Sequence, residues 1–301
     1  MFECRSRELK KLYDLLENKR KNDVKKICRL SPELWNIVAY EEEWERHPEA
    51  MDFLDPYSGN YSLKKLERDL YIEIMRPYLD CMKKKAIVLD AGGGIGRFAI
   101  EVAKMGHTVH LVDASRTALK KAAKHLKKMH LDEEVNLHWA DISDLSMFPD
   151  EYFDMTLAIE AVCYCKSPEG VITELARVTK KGGLLFISVE GKYGSMIADE
   201  NVRMDDFQNV KKGKLCIENN MCVHYFTKDS LARLMRRCGI TMLEVTGTHY
   251  VADGIFGRWI DKKKLKNVDY RRKVLHIEKA CREDEIIEKL ARAWVGTGRK
   301  K

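Results

Sequence analysis

The chain has 301 residues, 45% hydrophobic and 34% charged, enough for one large α/β domain with an appended segment. Fifty-four Lys and Arg against 47 Asp and Glu leave a net charge of +7. No run of about 18 apolar residues exists, which argues against a membrane-spanning helix, and MFECRSRELKK at the N-terminus has no apolar stretch of signal-peptide type. Nine cysteines without C-x-x-C spacing, an odd number, point to a reduced cytoplasmic protein rather than a disulfide scaffold.

In chain order, residues 1–80 read as a helical N-terminal cap. RELKKLYDLLENKRK is charged and amphipathic, and SPELWNIVAYEEEW offers Ser31 as N-cap with Pro32 at the first helical position. HPEAMDFLDPYSGNYS interrupts the pattern before SLKKLERDLYIEIMRPYL resumes helical spacing. From Ala86 the pattern alternates. Strands are expected at 86–92, 107–113, 135–141, 155–161 and 184–190, with helices near 95–105, 116–130 and 168–180, and Gly106 and Gly182 as stops. Such alternation implies a parallel sheet covered on both faces. The densest basic runs, ALKKAAKHLKKMH (118–130) and DKKKLKNVDYRRK (261–273), read first as solvated helix faces, with a polyanion-binding surface as the alternative.

The loop after the first strand carries the chemistry. A dinucleotide fingerprint G-x-G-x-x-G starting at Gly92 would end on Arg97, and starting at Ala91 it loses its first glycine. The frame that fits is D-x-G-x-G-x-G: Asp90, Gly92, Gly94 and Gly96. A carboxylate here would repel a pyrophosphate but suits S-adenosylmethionine, which carries an ammonium and a sulfonium and no phosphate. Asp113, followed by Ala114 at the end of the second strand, sits where a carboxylate accepts from both ribose hydroxyls. Asp141 closes the third strand, where it can accept from the adenine amine while the Ile142 amide meets a ring nitrogen. Each acid alone could be a helix N-cap; the ordered set favours the adenosyl cation.

With these residues the sequence resembles class I S-adenosylmethionine-dependent methyltransferases, in the branch that includes ubiquinone and menaquinone C-methyltransferases and many small-molecule N- and O-methyltransferases. EYFDMTLAIEAVCYCKSPEGVITELARVTKKGGLLFISVE extends the likeness through 86–190, and VHYFTKDSLARLMRRCGITMLEVTG continues it loosely. The resemblance implies a Rossmann-like, doubly wound, mostly parallel seven-stranded sheet with an antiparallel last strand, carried by EKLARAWVGTGRKK. It implies S-adenosyl-L-methionine as cofactor, with Glu160, Ala161 and Val162 lining its methionine side and Tyr164 at a position often His or Tyr. Lys181 replaces the usual proline before the G-G pair, and residues 1–80 match no subfamily. The expected division is 1–80 as cap or lid and 81–301 as the methyltransferase domain, with an insertion at 191–226 overhanging the site.

Methyl transfer from a sulfonium needs alignment and exclusion of water, and a base only where the acceptor must lose a proton. Candidate catalytic residues are His224, Tyr61 and Tyr164, with His249, Tyr57 and Tyr225 as further candidate bases. Tyr57, Asn60 or Tyr61 in PYSGNYS could close over the methionine carboxylate, placing Tyr57 among the cofactor contacts; a surface turn explains the segment equally well. His107 and His110, within the second strand, read as structural. GKLCIENNMCVHYF reads as a hairpin across Asn219-Asn220. Cys163, Cys165, Cys216 and Cys222 could lie close together and suggest a thiol or metalloid acceptor, but their spacing supports no zinc site and buried small residues explain them better. The expected activity is methylation of a small molecule. An RNA- or protein-modifying methyltransferase and a non-catalytic cofactor-binding scaffold are the alternatives. Glu160-Ala161-Val162-Cys163-Tyr164 has neither proline of the N-P-P-[YF] turn that holds a flipped adenine, which argues against a nucleic-acid acceptor.

Overall fold

The computed structural model describes residues 6–18, 20–30, 34–46, 62–198, 204–216 and 222–301. Its centre is a seven-stranded sheet built from β1 (Ile87–Ala91), β2 (Thr108–Asp113), β3 (Val135–Trp139), β4 (Phe153–Ala158), β5 (Thr179–Glu190), β8 (Ile240–Thr248) and β9 (Ala293–Lys300). The order is β3-β2-β1-β4-β5-β9-β8. β1 pairs in parallel with β2 and β4, and only β9 runs antiparallel, between β5 and β8. The strand order reverses beside β1, so the crevice beyond its C-terminal end is where a doubly wound sheet holds its ligand.

Apolar runs place these strands. Val88, Leu89 and Ala91 are fully buried, as are Leu185, Phe186 and Ile187 in β5, as expected of strands covered on both faces. The covering helices are α4 (Ser62–Leu79), α5 (Arg97–Ala103), α6 (Arg116–Met129), α7 (Pro168–Val178), α10 (Lys228–Arg237) and α11 (Val268–Glu283). Ser115 caps α6 by accepting from Ala118 N at 3.0 Å, and Thr227 caps α10 within a reciprocal capping box with Ser230. Leu66 and Leu70 of α4 are fully buried in the same cluster as Leu89 and Leu185, so this helix belongs to the sheet's own core.

α1 (Arg7–Glu17), α2 (Lys21–Leu30) and α3 (Leu34–Arg46) form a separate small cluster around Leu12, Cys28 and Val38. Ser31 and Pro32 lie outside the described residues. The region after β5 holds α8 (Lys192–Ala198), α9 (Phe207–Lys212) and a two-stranded hairpin, β6 (Lys214–Cys216) with β7 (Cys222–His224). The hairpin is present as expected, and its Asn219-Asn220 turn lies outside the described residues.

Three expectations need correction. β4 stops at Ala158 rather than continuing to 161, because Glu160 adopts a left-handed backbone with φ 55°. β5 begins at Thr179, five residues before the expected start, and its pairing with β4 shifts register between Phe153 and Met155. Not all the thiols are reduced: Cys222 is disulfide-bonded, while Cys28, Cys81, Cys163, Cys165, Cys238 and Cys281 are free. Cys216 is the register partner of Cys222.

Candidate active site

A cavity of about 590 Å³ opens at the C-terminal ends of β1, β2, β4 and β5. The glycine loop forms its floor. Gly92 has φ 73°, and a Cβ there would stand 2.5 Å from the Ala161 Cβ, so a side chain would drive the loop off the β4 end. Gly94, at φ 55°, lines the cavity, and a Cβ on it would meet nothing within 4 Å. The loop backbone therefore fronts open space, as close approach to a ligand requires.

Asp113 and the loop are tied together. One carboxylate oxygen accepts from Gly94 N and the other from Ser115 N, both at 2.8 Å. Burial pushes the Asp113 carboxyl up to about 6, against the lowering effect of those two amides. Asp113, Ala114, Asp141, Ile142 and Glu160 all line the cavity, as do Gly92 and Gly94. Asp141 accepts from Ser143 N at 2.8 Å through Oδ1. The Ala114 carbonyl accepts from Trp139 Nε1 at 2.9 Å and Tyr13 Oη at 3.2 Å.

Asp90 does not line the cavity, which corrects its expected direct contact with the cofactor. It is 1% exposed and accepts from Ala99 N at 3.0 Å through Oδ2, so it fastens the first turn of α5 to the end of β1. Burial pushes its carboxyl up to about 7. Gly96 likewise lies off the cavity; its left-handed φ of 86° starts α5. His224 is in β7 and is not among the cavity's lining residues, so the described geometry does not bring it to the site. Tyr164 does line it, donating to Glu190 Oε1 at 2.9 Å. Tyr57, Asn60 and Tyr61 lie outside the described residues. Tyr225 is buried against Val210 and Leu215, a packing role.

Sequence reasoning missed a charged network at the β4 and β5 end of the cavity. Arg97 donates to Glu160 Oε2 at 2.7 Å and lies 3.5 Å from Glu67, which also holds Lys64. Arg292 lies 3.2 Å from Glu190 and 3.5 Å from Asp253. Burial would raise Glu160, yet Arg97 and Lys64 hold its carboxyl well below the usual carboxylate range. Burial raises Glu190 against the pull of Arg292. The only sequence signal was an acid closing each apolar strand, Glu160 after MTLAI and Glu190 after LLFISV. Lys64, Glu67, Asp253 and Arg292 come from distant parts of the chain.

The N-terminal helices reach the same cavity. Glu8, Leu34, Asn36 and Ile37 contribute to its lining. Glu41 accepts from Tyr13 Oη at 2.9 Å and from the hydroxyls of Ser115 and Thr117, two residues and four residues beyond Asp113. Asn36 donates to the Tyr164 carbonyl at 2.8 Å and accepts from Cys222 N at 2.6 Å, linking α3 to both the site and the hairpin.

Residues 89–187 match the family model described as a methyltransferase domain. The matched stretch runs from β1 into β5, within a sheet of Rossmann-like methyltransferase order. The domain is similar to that of the sterol 24-C-methyltransferase of Saccharomyces cerevisiae, 27% identical over 215 residues, covering 69% of this chain and 52% of that protein. It is also similar to the methyltransferase GfsG of Streptomyces halstedii, 31% identical over 163 residues, covering 53% of this chain and 54% of that protein. The chain thus spans about half the length of these curated relatives. Among solved structures, the Burkholderia thailandensis 1,6-didemethyltoxoflavin-N1-methyltransferase shares the fold with a TM-score of 0.54, 16% identity, and coverage of 91% of this chain and 89% of that one. The open glycine floor and Asp113 suit the amino-acid and ribose portions of S-adenosylmethionine. No described helix is long and apolar enough to cross a membrane.

Proposed function

We propose that the protein transfers a methyl group from S-adenosylmethionine to a small polar molecule. When bound, the cofactor supplies an electrophilic methyl on a good leaving group. The chain's own residues do the rest. Asp113 and the loop amides it fixes hold the ribose; Asp141 and Ile142 meet the adenine; the backbone at Gly92 and at Glu160-Ala161 faces the methionine end. The N-terminal helices, docked through Tyr13, Asn36 and Glu41, act as a lid that keeps water from the site.

The observation that carries the acceptor class is the wall beyond the loop, where Lys64, Arg97, Glu160, Glu190, Asp253 and Arg292 all face the cavity. An apolar body such as a sterol would strip these groups of water without replacing their hydrogen bonds. A small polar acceptor replaces them. The sterol that the relative's name prints is therefore not the acceptor proposed for this chain. A further relative, the tRNA 5-carboxymethoxyuridine methyltransferase of Escherichia coli, 25% identical over 144 residues, keeps RNA as the competing acceptor. The test incubates the full chain with methyl-labelled cofactor and either bulk RNA or extract molecules below about one kilodalton. Labelled small product supports the proposal. RNA labelling that falls steeply with salt, as phosphate contacts require, with no labelled small product, overturns it.

A further inference from the structure

Beside the charged wall lies a group of polar atoms that the ion pairs leave over. Glu67 on α4 and His249 just after β8 are each 1% exposed, and Glu160 stands between them and the cavity. One ligand-type atom from each of the three lies within 4.8 Å of the other two, and His249 Nε2 is 4.0 Å from Glu160 Oε1. Glu67 Oε1 and both His249 ring nitrogens are buried with no hydrogen-bond partner among the described residues. Asp253 Oδ1, at the cavity wall, is likewise buried and unpartnered. Leaving such atoms unmatched in a buried site is unfavourable. Glu160 and His249 also carry left-handed backbones, with φ 55° and 63°. Strain of that kind persists where surrounding structure holds it and clusters at binding sites.

The spacing selects the ligand. Acceptors around a tetrahedral nitrogen at about 2.8 Å stand about 4.6 Å apart. Ligands on a metal ion at about 2.1 Å stand about 3.0–3.4 Å apart unless they are opposite one another. The 4.0 Å span, with all three atoms inside 4.8 Å, fits an ammonium better than a metal ion. Acceptor capacity agrees: the neighbouring cations Lys64, Arg97 and Arg292 use Oε2 of Glu67 and Oδ2 of Asp253, and leave Glu67 Oε1 and Asp253 Oδ1 unmatched.

We infer that Glu67, Glu160 and His249, with Asp253 at the entrance, form a cage for a primary ammonium group, and that the methyl acceptor carries one. The inference rests on the cavity being the cofactor-and-acceptor site proposed above. The cage anchors the acceptor's amino group, which orients the rest of the molecule toward the sulfonium.

The full chain, saturated with S-adenosylhomocysteine, is titrated with propylammonium, tetramethylammonium and propanol by calorimetry. Propylammonium is expected to bind at least about tenfold more tightly than the other two, because only it brings N–H donors and charge together. Glu67→Gln is expected to remove that preference while S-adenosylhomocysteine affinity stays within about twofold of wild type. Equal binding of all three probes means a water-filled pocket only and overturns the cage. So does Mn²⁺ binding that displaces propylammonium, or a parallel loss of S-adenosylhomocysteine affinity in Glu67→Gln, which would give the cage to the cofactor's own amine. If Glu67→Gln does not fold, the wild-type comparison of propylammonium with tetramethylammonium decides alone. Failure of wild type to bind S-adenosylhomocysteine at all sinks the methyltransferase proposal instead.

Discussion

Asp113→Ala tests the cofactor assignment most directly. Each Asp113 oxygen already accepts one backbone N–H, from Gly94 and from Ser115, which leaves lone pairs on both oxygens for two ribose hydroxyls. The alanine variant removes the ribose contacts and releases the Gly94 amide from its anchor. Hydrogen bonds to a charged group of this kind place the loss at about 1–3 kcal/mol of binding free energy, or about 5–150-fold in Kd for S-adenosylhomocysteine. Asparagine should do no better. Its NH2 would have to point at one of the two N–H donors, so one of the observed bonds becomes a repulsion. The carboxyl lies at about 6, raised by burial, so wild-type affinity should be greatest above about pH 7 and fall as pH drops through 6. The alanine variant should be flat across that window. Calorimetry at pH 5.5, 6.5 and 7.5 reads both effects. An alanine variant that binds within twofold of wild type, or a wild type that binds NADH and neither adenosyl ligand, would refute the assignment.

Three further outcomes are expected. Asp90 has a carboxyl raised to about 7 by burial, so the fold favours its neutral form: its stabilising effect is complete below the ordinary carboxylate range and is lost as pH rises through 7. Asp90→Asn keeps an acceptor for Ala99 N and should flatten the decline in apo melting temperature between pH 5 and 8; an unchanged slope would count against the buried carboxyl. Glu41→Ala removes the acceptor shared by Tyr13, Ser115 and Thr117, and hydrogen exchange should speed up in 7–46 while the sheet stays protected; uniform protection would deny the docking role. Gly92→Ala should abolish S-adenosylhomocysteine binding, because the new methyl meets Ala161 Cβ at 2.5 Å on a left-handed backbone, and retained binding in a folded variant would contradict the loop geometry.

The sheet was legible because its strands are short apolar runs separated by glycine and acid, a pattern set by burial on both faces. Their limits were less legible. Glu160 continues an apolar run in sequence, yet the chain turns left-handed there, since its carboxylate is held by Arg97 and Tyr71 instead of extending the ladder. Spacing placed Asp113, Asp141, Gly92 and Gly94 at the cavity, because these positions are strand ends or lie a fixed distance along a local turn. It could not find the charged wall. Glu67, Glu160, Glu190, His249, Asp253 and Arg292 are brought together by the order of strands, with the 249–292 connection folding back over the ends of β4 and β5.

Asp90 shows why a motif can be right while its chemistry is wrong. An acid two residues before the first glycine was read as attracting a cationic cofactor and repelling a pyrophosphate. The fold turns that side chain away from the cavity and spends it on Ala99 N, where it joins the end of β1 to the first turn of α5. The loop still needs the acid, because the helix start it fixes sets where Gly92 and Gly94 present their backbone. A Cβ on Gly93 would meet Asp90 Oδ2 at 2.7 Å, so the carboxylate and the glycine next to it are packed as one unit. Selectivity against a pyrophosphate therefore cannot rest on direct repulsion by Asp90, which burial leaves half neutral near pH 7. It falls to Asp113, Glu160 and the carboxylates of the wall, which do face the ligand space.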